Sequence, residues 1–287
     1  MKFKNRSLIL IFSLFILCVI AAFFFLSKRL KNTNEESEIL FSEKENIYLD
    51  FEHLTLDQEI AYISISKNDI SGYNRWLPFY FTFSSEDDLT EKQVEKVLND
   101  NIKKATLNTE NGEVYSTQQL IWSAYKLENN QYNLTLVLIP ELNTLVSDEP
   151  INIKYINLYD SKDSYTYSLA SYLVESKETI AEDEMYVSLS SMESDILEDY
   201  SVNVNYGIIG NGNKVSDFSL EYSNDFTPVL SYVLANTNQT EDNETEYSVK
   251  IQLNGNYKKS VFRPFLKVTY NDGKSGYLIP SLPVYFK

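Results

Sequence analysis

Phe79-Tyr-Phe-Thr-Phe-Ser84 is the stretch on which the fold class turns. Phe79, Phe81 and Phe83 recur at every second position, with Leu77 two residues earlier. A period of two places these side chains on one side of a β-strand. Leu134, Leu136 and Leu138 repeat the pattern, and so do Ile47, Leu49 and Phe51. Further segments of this kind are 60–66, 118–126, 151–159, 164–174, 185–190, 199–208, 217–222, 229–235, 246–253, 264–270 and 276–286. Many short strands between turn-like gaps predict antiparallel β-sandwiches. The 22 Tyr and 16 Phe suit pleated surfaces.

The same stretch has an echo. Phe218-Ser-Leu-Glu-Tyr-Ser223 aligns with 79–84, Met185-Tyr-Val-Ser-Leu189 with Ile47-Tyr-Leu-Asp-Phe51, and Tyr200-Ser-Val-Asn-Val-Asn205 with Ala61-Tyr-Ile-Ser-Ile-Ser66. The segment starts lie 14 and 18 residues apart in the first half and 15 and 18 in the second. Tyr159-Asp-Ser-Lys-Asp-Ser-Tyr165 and Tyr270-Asn-Asp-Gly-Lys-Ser-Gly-Tyr277 both read as hairpin turns. Four matches in one order predict two related Ig-like sandwich domains, 47–175 and 185–287, joined by an acidic linker at 176–184. On that expectation, Phe79, Phe81 and Phe83 would correspond to Phe218, Leu220 and Tyr222.

One helix interrupts the strands. Thr90-Glu-Lys-Gln93 has capping-box form and opens a run with Val94, Val97, Leu98 and Ile102 at helical spacing. The spacing predicts a short helix over 90–103, inserted in the first domain as cover for a sheet edge.

The amino-terminal part is different material. Ser7 to Leu26 is 20 residues without a charge. As a helix it would span roughly 30 Å, the thickness of a bilayer core. Residues 1–31 read as a single-pass transmembrane anchor, and the polar stretch 32–46 as a stalk. A cleaved signal peptide is the competing reading, with a small-residue site at Val19-Ile20-Ala21. Against it, Phe23-Phe-Phe-Leu26 carries the apolar run past that site. Basic residues flank the span on both sides, so charge counting alone does not orient it. The export-like order of basic, apolar and small residues puts the body outside the cell membrane. Its single cysteine, Cys18, lies within the span, so the body is indifferent to oxidation. The Lys, Asn, Ile, Glu and Tyr bias suggests an AT-rich bacterium.

Charge narrows the partner. All 41 Asp and Glu lie after Lys31, where only 19 of the 25 Lys and Arg remain, a formal charge near −22. Such a body repels phosphate, and the one basic cluster, Lys258, Lys259, Arg263 and Lys267, is small, so nucleic acid is excluded. A cationic protein or peptide is the partner this charge would steer.

Catalytic patterns are sparse. His53, the one histidine, lies between two expected strands and reads as a loop residue. Gly207, Gly210 and Gly212 sit in an apparent polar turn without a following helix. Glu86-Asp87-Asp88 and Glu182-Asp183-Glu184 read as solvated loop acids. Asp160-Ser-Lys-Asp163 and Asn271-Asp-Gly273 lack the ligand density of a calcium loop. No catalytic, cofactor-binding or metal-ligating residue is assigned, and no cofactor is expected. Trp76 and Trp122 sit in apolar strand patterns and read as packing residues rather than a glycan-stacking platform. The loop 235–246 reads as a long acidic hairpin tip.

These features predict a mainly β, membrane-anchored extracytoplasmic accessory subunit of a bacterial envelope complex, working by protein–protein contact. The alternatives are a surface adhesin or cell-wall glycan-binding module, and an envelope enzyme. Against an adhesin, the carboxyl end Pro283-Val-Tyr-Phe-Lys287 is strand-like and carries no wall-sorting signal.

The anchor is testable by fractionation: the full-length chain should pellet with membranes and need detergent for release. Ile16→Arg should weaken insertion by about 3 kcal/mol. A mature protein starting near Ala22 in the medium would contradict an uncleaved anchor.

Overall fold

Ile60-Ala-Tyr-Ile-Ser-Ile-Ser66 is buried at every position, although its sequence alternates. A strand covered on both faces needs hydrogen-bonded neighbours on both edges and apolar cover above and below. In the computed structural model of the chain, this strand is the centre from which the rest is arranged. The described residues are 49–69, 72–141, 144–180, 185–192, 200–210, 215–239, 244–256 and 259–286. The expected anchor, the stalk and residues 181–184 of the expected linker lie outside them. Among the described residues, no helix is long and apolar enough to cross a membrane.

The protein is mainly β. Strands β1 (Thr55–Leu56), β2 (Ile60–Ser66) and β3 (Leu77–Ser84) come first, with helix α1 (Gly72–Arg75) before β3. Helix α2 (Glu91–Asn101) leads into β4 (Lys104–Thr109), β5 (Val114–Lys126), β6 (Gln131–Pro140), β7 (Ile151–Tyr159) and β8 (Ser164–Lys177). Then follow β9 (Met185–Met192), β10 (Ser201–Gly210), β11 (Val215–Glu221), β12 (Val229–Gln239) and β13 (Glu244–Leu253). The last four are β14 (Ser260–Arg263), β15 (Phe265–Tyr270), β16 (Ser275–Leu278) and β17 (Val284–Phe286).

Ten strands form one sheet in the order β1-β3-β6-β5-β4-β7-β8-β2-β14-β17. The turn from one half of it to the other is made by β5, whose residues 114–116 pair with β4 while 117–126 pair with β6. A register shift at Thr117 marks the bend, as bulges do where strands change sheets. The inner faces meet: Phe79 stacks on Tyr172 at 4.7 Å, and Phe81 lies edge-on to Tyr167 at 5.1 Å. The two end regions of the sheet also meet, because Tyr80 of β3 stacks on Tyr285 of β17 at 4.4 Å. The turn between β5 and β6 is Asn129-Asn130, both with positive φ (56° and 54°), the hairpin geometry that asparagine tolerates.

A four-stranded sheet, β12-β13-β10-β9, and a three-stranded one, β11-β15-β16, enclose a second core. That core also holds Ile60, Tyr62, Leu173, Phe262, Val284 and Phe286 from the ten-stranded sheet.

The predicted helix is present with its full capping box: Thr90 Oγ1 accepts from Gln93 N, and Gln93 accepts from Thr90 N. Its edge-covering role is explicit. Carboxylates of Glu95 and Glu91 accept the main-chain N–H of Ala124 (3.0 Å) and Lys126 (3.1 Å) on the open side of β5. Both predicted hairpins are also present, since Tyr159 ends β7 before Asp160–Asp163 and Tyr270 ends β15 before Asn271–Lys274.

The division into two separate sandwiches is corrected. Ser260–Arg263 pairs in parallel with Ile60–Ile63, and β17 extends the same sheet. Leu49–Lys287 is a single unit. Phe79, Phe81 and Phe83 lie in the second strand of the ten-stranded sheet, whereas Phe218 and Leu220 lie on β11 at the edge of a three-stranded sheet. The shared pattern reflects the common demand that a half-buried strand alternates, not a shared strand order. The expected strand through Phe51 is instead a 3-10 turn, Phe51–His53, capped by Asp50. Gly207 and Gly210 belong to β10 rather than to a turn. The hairpin at 235–246 is shorter than expected, because β12 and β13 run into it.

Arg263 fastens the two regions. It is fully buried, its guanidinium lies 4.8 Å above the Trp76 ring, and it donates to the carbonyls of Ser64 (2.9 Å) and Trp76 (2.8 Å). Burial lowers its pKa to about 10. Arg263→Ala leaves a cavity and two unpaired carbonyls, and should cost about 3 kcal/mol in urea unfolding. Arg263→Met should cost less, since the stem volume stays and no charge is buried. An unchanged midpoint in Arg263→Ala would show that the tie carries no stability.

Candidate functional site

The outer face of β3, β6 and β5 builds a row-by-row surface. Tyr80, Thr135 and Ser123 sit opposite one another across the three strands, and Thr82, Asn133 and Tyr125 form the next row. Phe79, Phe81 and Leu134 point the other way, into the core. The same alternation that buries the phenylalanines therefore displays hydroxyls, an amide and two phenols outside.

All of these row residues but Thr82, with Asp57 and Tyr285, line a groove of about 240 Å³. Tyr80 and Tyr285 form one wall as a parallel stacked pair, their planes 4° apart. Tyr125 stands at the rim, 64% exposed. Asp57 is held from two directions: its main-chain N–H donates to Tyr80 O at 2.8 Å, and its Oδ1 accepts from Thr82 Oγ1 at 3.1 Å. Lys259 Nζ stays 4.0 Å away on a half-exposed stem. Burial pushes the Tyr80 phenol up to about 12, against a pull from Arg263. Burial, then the charge of Asp57, raises the Tyr285 phenol above its usual range. Both rings therefore stay neutral near neutral pH. Aromatic faces beside a carboxylate can hold a cationic side chain, whose charge is attracted by the ring quadrupoles and by the acid. The same rings can pack on the C–H face of a sugar.

The residues singled out in the sequence lie elsewhere. Trp76 and Trp122 are 8% and 3% exposed and offer no face to a ligand. His53 is a surface residue whose Nδ1 lies 2.7 Å from Asp50 Oδ2. Asp160 spends one carboxylate oxygen on the N–H groups of Lys162 and Asp163, both at 2.6 Å, so it braces its own hairpin. Asp272 does the same for Lys274 N at 3.0 Å. Among the described residues, no group of three or more His, Cys, Asp or Glu is placed to hold a metal. The basic cluster is dispersed, with Arg263 in the core and Lys267 exposed on β15. Sequence reasoning missed the groove: Tyr80 and Tyr125 were legible as outward strand positions, but Tyr285 comes to Tyr80 from 205 residues away.

A second polar cluster lies where β8 meets the three-stranded sheet. Lys177 Nζ bonds Glu221 and lies 3.2 Å from Glu175. Its ammonium also sits over the rings of Tyr277 (4.8 Å) and Phe265 (5.0 Å). Tyr62 donates to Glu175 at 2.7 Å, and Tyr277 to Glu221 at 3.1 Å. Every polar group here is answered by another, so the cluster reads as a clasp between sheets rather than a ligand site. No protein-family model matches the chain, and no curated protein is a significant match to it.

The clasp sets a pH dependence. Burial raises the Glu221 pKa, but the hydrogen bond and charge of Lys177 outweigh it and hold the carboxyl below the usual range. A depressed carboxyl adds stability above its unfolded pKa and loses it as pH falls through the folded value. Glu221→Gln should therefore be less stable than the parent by about 1 kcal/mol at neutral pH, a figure kept small by solvent access. That gap should close in acid, below the usual glutamate range. Urea midpoints of both chains across pH would show it; a gap that persists in acid would exclude the ion pair as its cause.

Proposed function

We propose that this protein is a membrane-anchored, extracytoplasmic binding subunit of a bacterial envelope complex that works by protein–protein contact. The observation that carries this reading is the groove lined by Tyr80, Tyr285, Tyr125 and Asp57. Three phenol rings and one carboxylate are the chemistry that receives a lysine or arginine side chain. The charge near −22 after Lys31 supports the same partner class, because it would steer a cationic protein towards the body. The apolar span at 7–26 would hold the subunit beside membrane neighbours. A glycan-binding module is the second reading, favoured by the exposed Tyr125 ring next to Asn133 and Thr135.

Cross-linking capture of membrane neighbours by the full-length chain tests this. Tyr125→Ala and Asp57→Asn should each weaken capture about tenfold, as loss of a central contact does. Capture should also fall as salt rises past the range where the Debye length is about 8 Å. Unchanged capture by both variants would overturn the groove as the contact. Retention on purified cell wall that is lost in Tyr125→Ala and insensitive to salt would favour the glycan reading.

A further inference from the structure

Strand β12, Val229-Leu-Ser-Tyr-Val-Leu-Ala-Asn-Thr-Asn-Gln239, ends its sheet and has 11 residues without a charge, a proline or a glycine. The other strands that end a sheet are shorter: β9 has 8 residues, β11 has 7, β16 has 4, β17 has 3 and β1 has 2. A long edge normally carries a lysine, a proline or a bulge that discourages further pairing; β12 carries no lysine or proline, and its two bulges fall at Leu230 and Ala235. The edge of β11 shows what a blocked edge looks like: Tyr232 Oη accepts from Leu220 N and donates to Leu220 O, both at 3.1 Å.

Among the described residues, side chains of this strand are also open to solvent. Leu230 and Val233 are 62% and 64% exposed. Leu234 is opposite Val249, which is 1% exposed in the core, yet Leu234 itself is 42% exposed. An apolar residue paired with a core position but left open marks a sheet whose cover stops one strand short. A cationic partner drawn by acid groups finds none on this strand. The strand that suits this edge in length, in lack of charge and in apolar content is β12 itself.

We infer that β12 is a dimerisation edge: two copies pair antiparallel through Val229–Gln239, and the two four-stranded sheets become one sheet across a two-fold axis. A two-fold puts the same strand on both sides, so one uncharged edge serves both copies. The axis then falls at Leu234, which meets its own counterpart, with Val233 opposite Ala235 of the second copy. The inference does not rest on the groove, which uses other strands. Because the two bodies carry like charge, the dimer tightens as salt rises, whereas a cationic partner weakens.

The test uses the full-length chain in mild detergent, with Cys18→Ser removing the single native cysteine. A short bis-maleimide should join Val233→Cys chains into covalent dimers and leave Glu110→Cys chains, altered at an exposed turn, monomeric. Leu234→Lys should abolish the dimer in sedimentation equilibrium while leaving the urea midpoint close to that of the parent. The dimer dissociation constant should fall about threefold or more between low and high salt. A chain that stays monomeric at all concentrations overturns the inference. So does a Val233→Cys chain that cross-links no more than the Glu110→Cys chain, or that joins another protein in place of a second copy.

Discussion

The pairing of Ile60–Ser66 with strands on both sides is the constraint on which the other elements depend. Every residue of β2 is buried, so each main-chain group must find a partner inside the protein. On one edge β8 supplies it along seven residues, and on the other β14 supplies it along four. Both pairings are parallel, and parallel strands cannot be joined by tight turns. The chain therefore has to travel far between partners, and the intervening residues become the remaining layers. Side chains of β2 divide between two cores: Tyr62 packs on Phe226 and Phe262 in one, while Ala61 and Ile63 face the other way.

This arrangement decides where polar groups can survive. Among the described residues, Arg263 has no carboxylate within bonding distance, and it is held by two carbonyls and the Trp76 face. Its neighbours Tyr80 and Tyr172 add partial negative charge from their phenol oxygens. At the outer surface the same closure brings Tyr285 against Tyr80 and completes the groove wall. Fastening and site are thus two sides of one seam. The residues that lock the carboxyl-terminal strands inside also place an aromatic ring outside.

Local signals were legible and distant ones were not. The capping box at Thr90, the turns at Asp160 and Gly273, and the outward and inward rows of β3 and β6 follow from neighbouring residues, and all are present. Ser260-Val-Phe-Arg263 has four residues and a terminal arginine, too short and too polar to read as the neighbour of a central strand. Its burial is decided by residues near position 60. The apparent duplication failed for a related reason: period-two alternation reports that one face is covered, and carries no record of what covers it. The groove was half visible, since its floor follows from strand alternation and its Tyr285 wall does not.

The separation between β2 and β14 has a consequence for how the chain is made. Ser64 Oγ bonds Pro264 O across 200 positions, and Arg263 reaches Ser64 across 199. A polypeptide emerging amino end first exposes β2 long before its second partner exists. Until residue 263 has emerged, the middle of the ten-stranded sheet is an open edge lined with isoleucine and tyrosine. Long-range pairing of this kind folds slowly and leaves sticky surface exposed meanwhile. A chain without its last three dozen residues would lack β14 to β17, and with them one of the two neighbours of β2 and the Tyr285 wall of the groove.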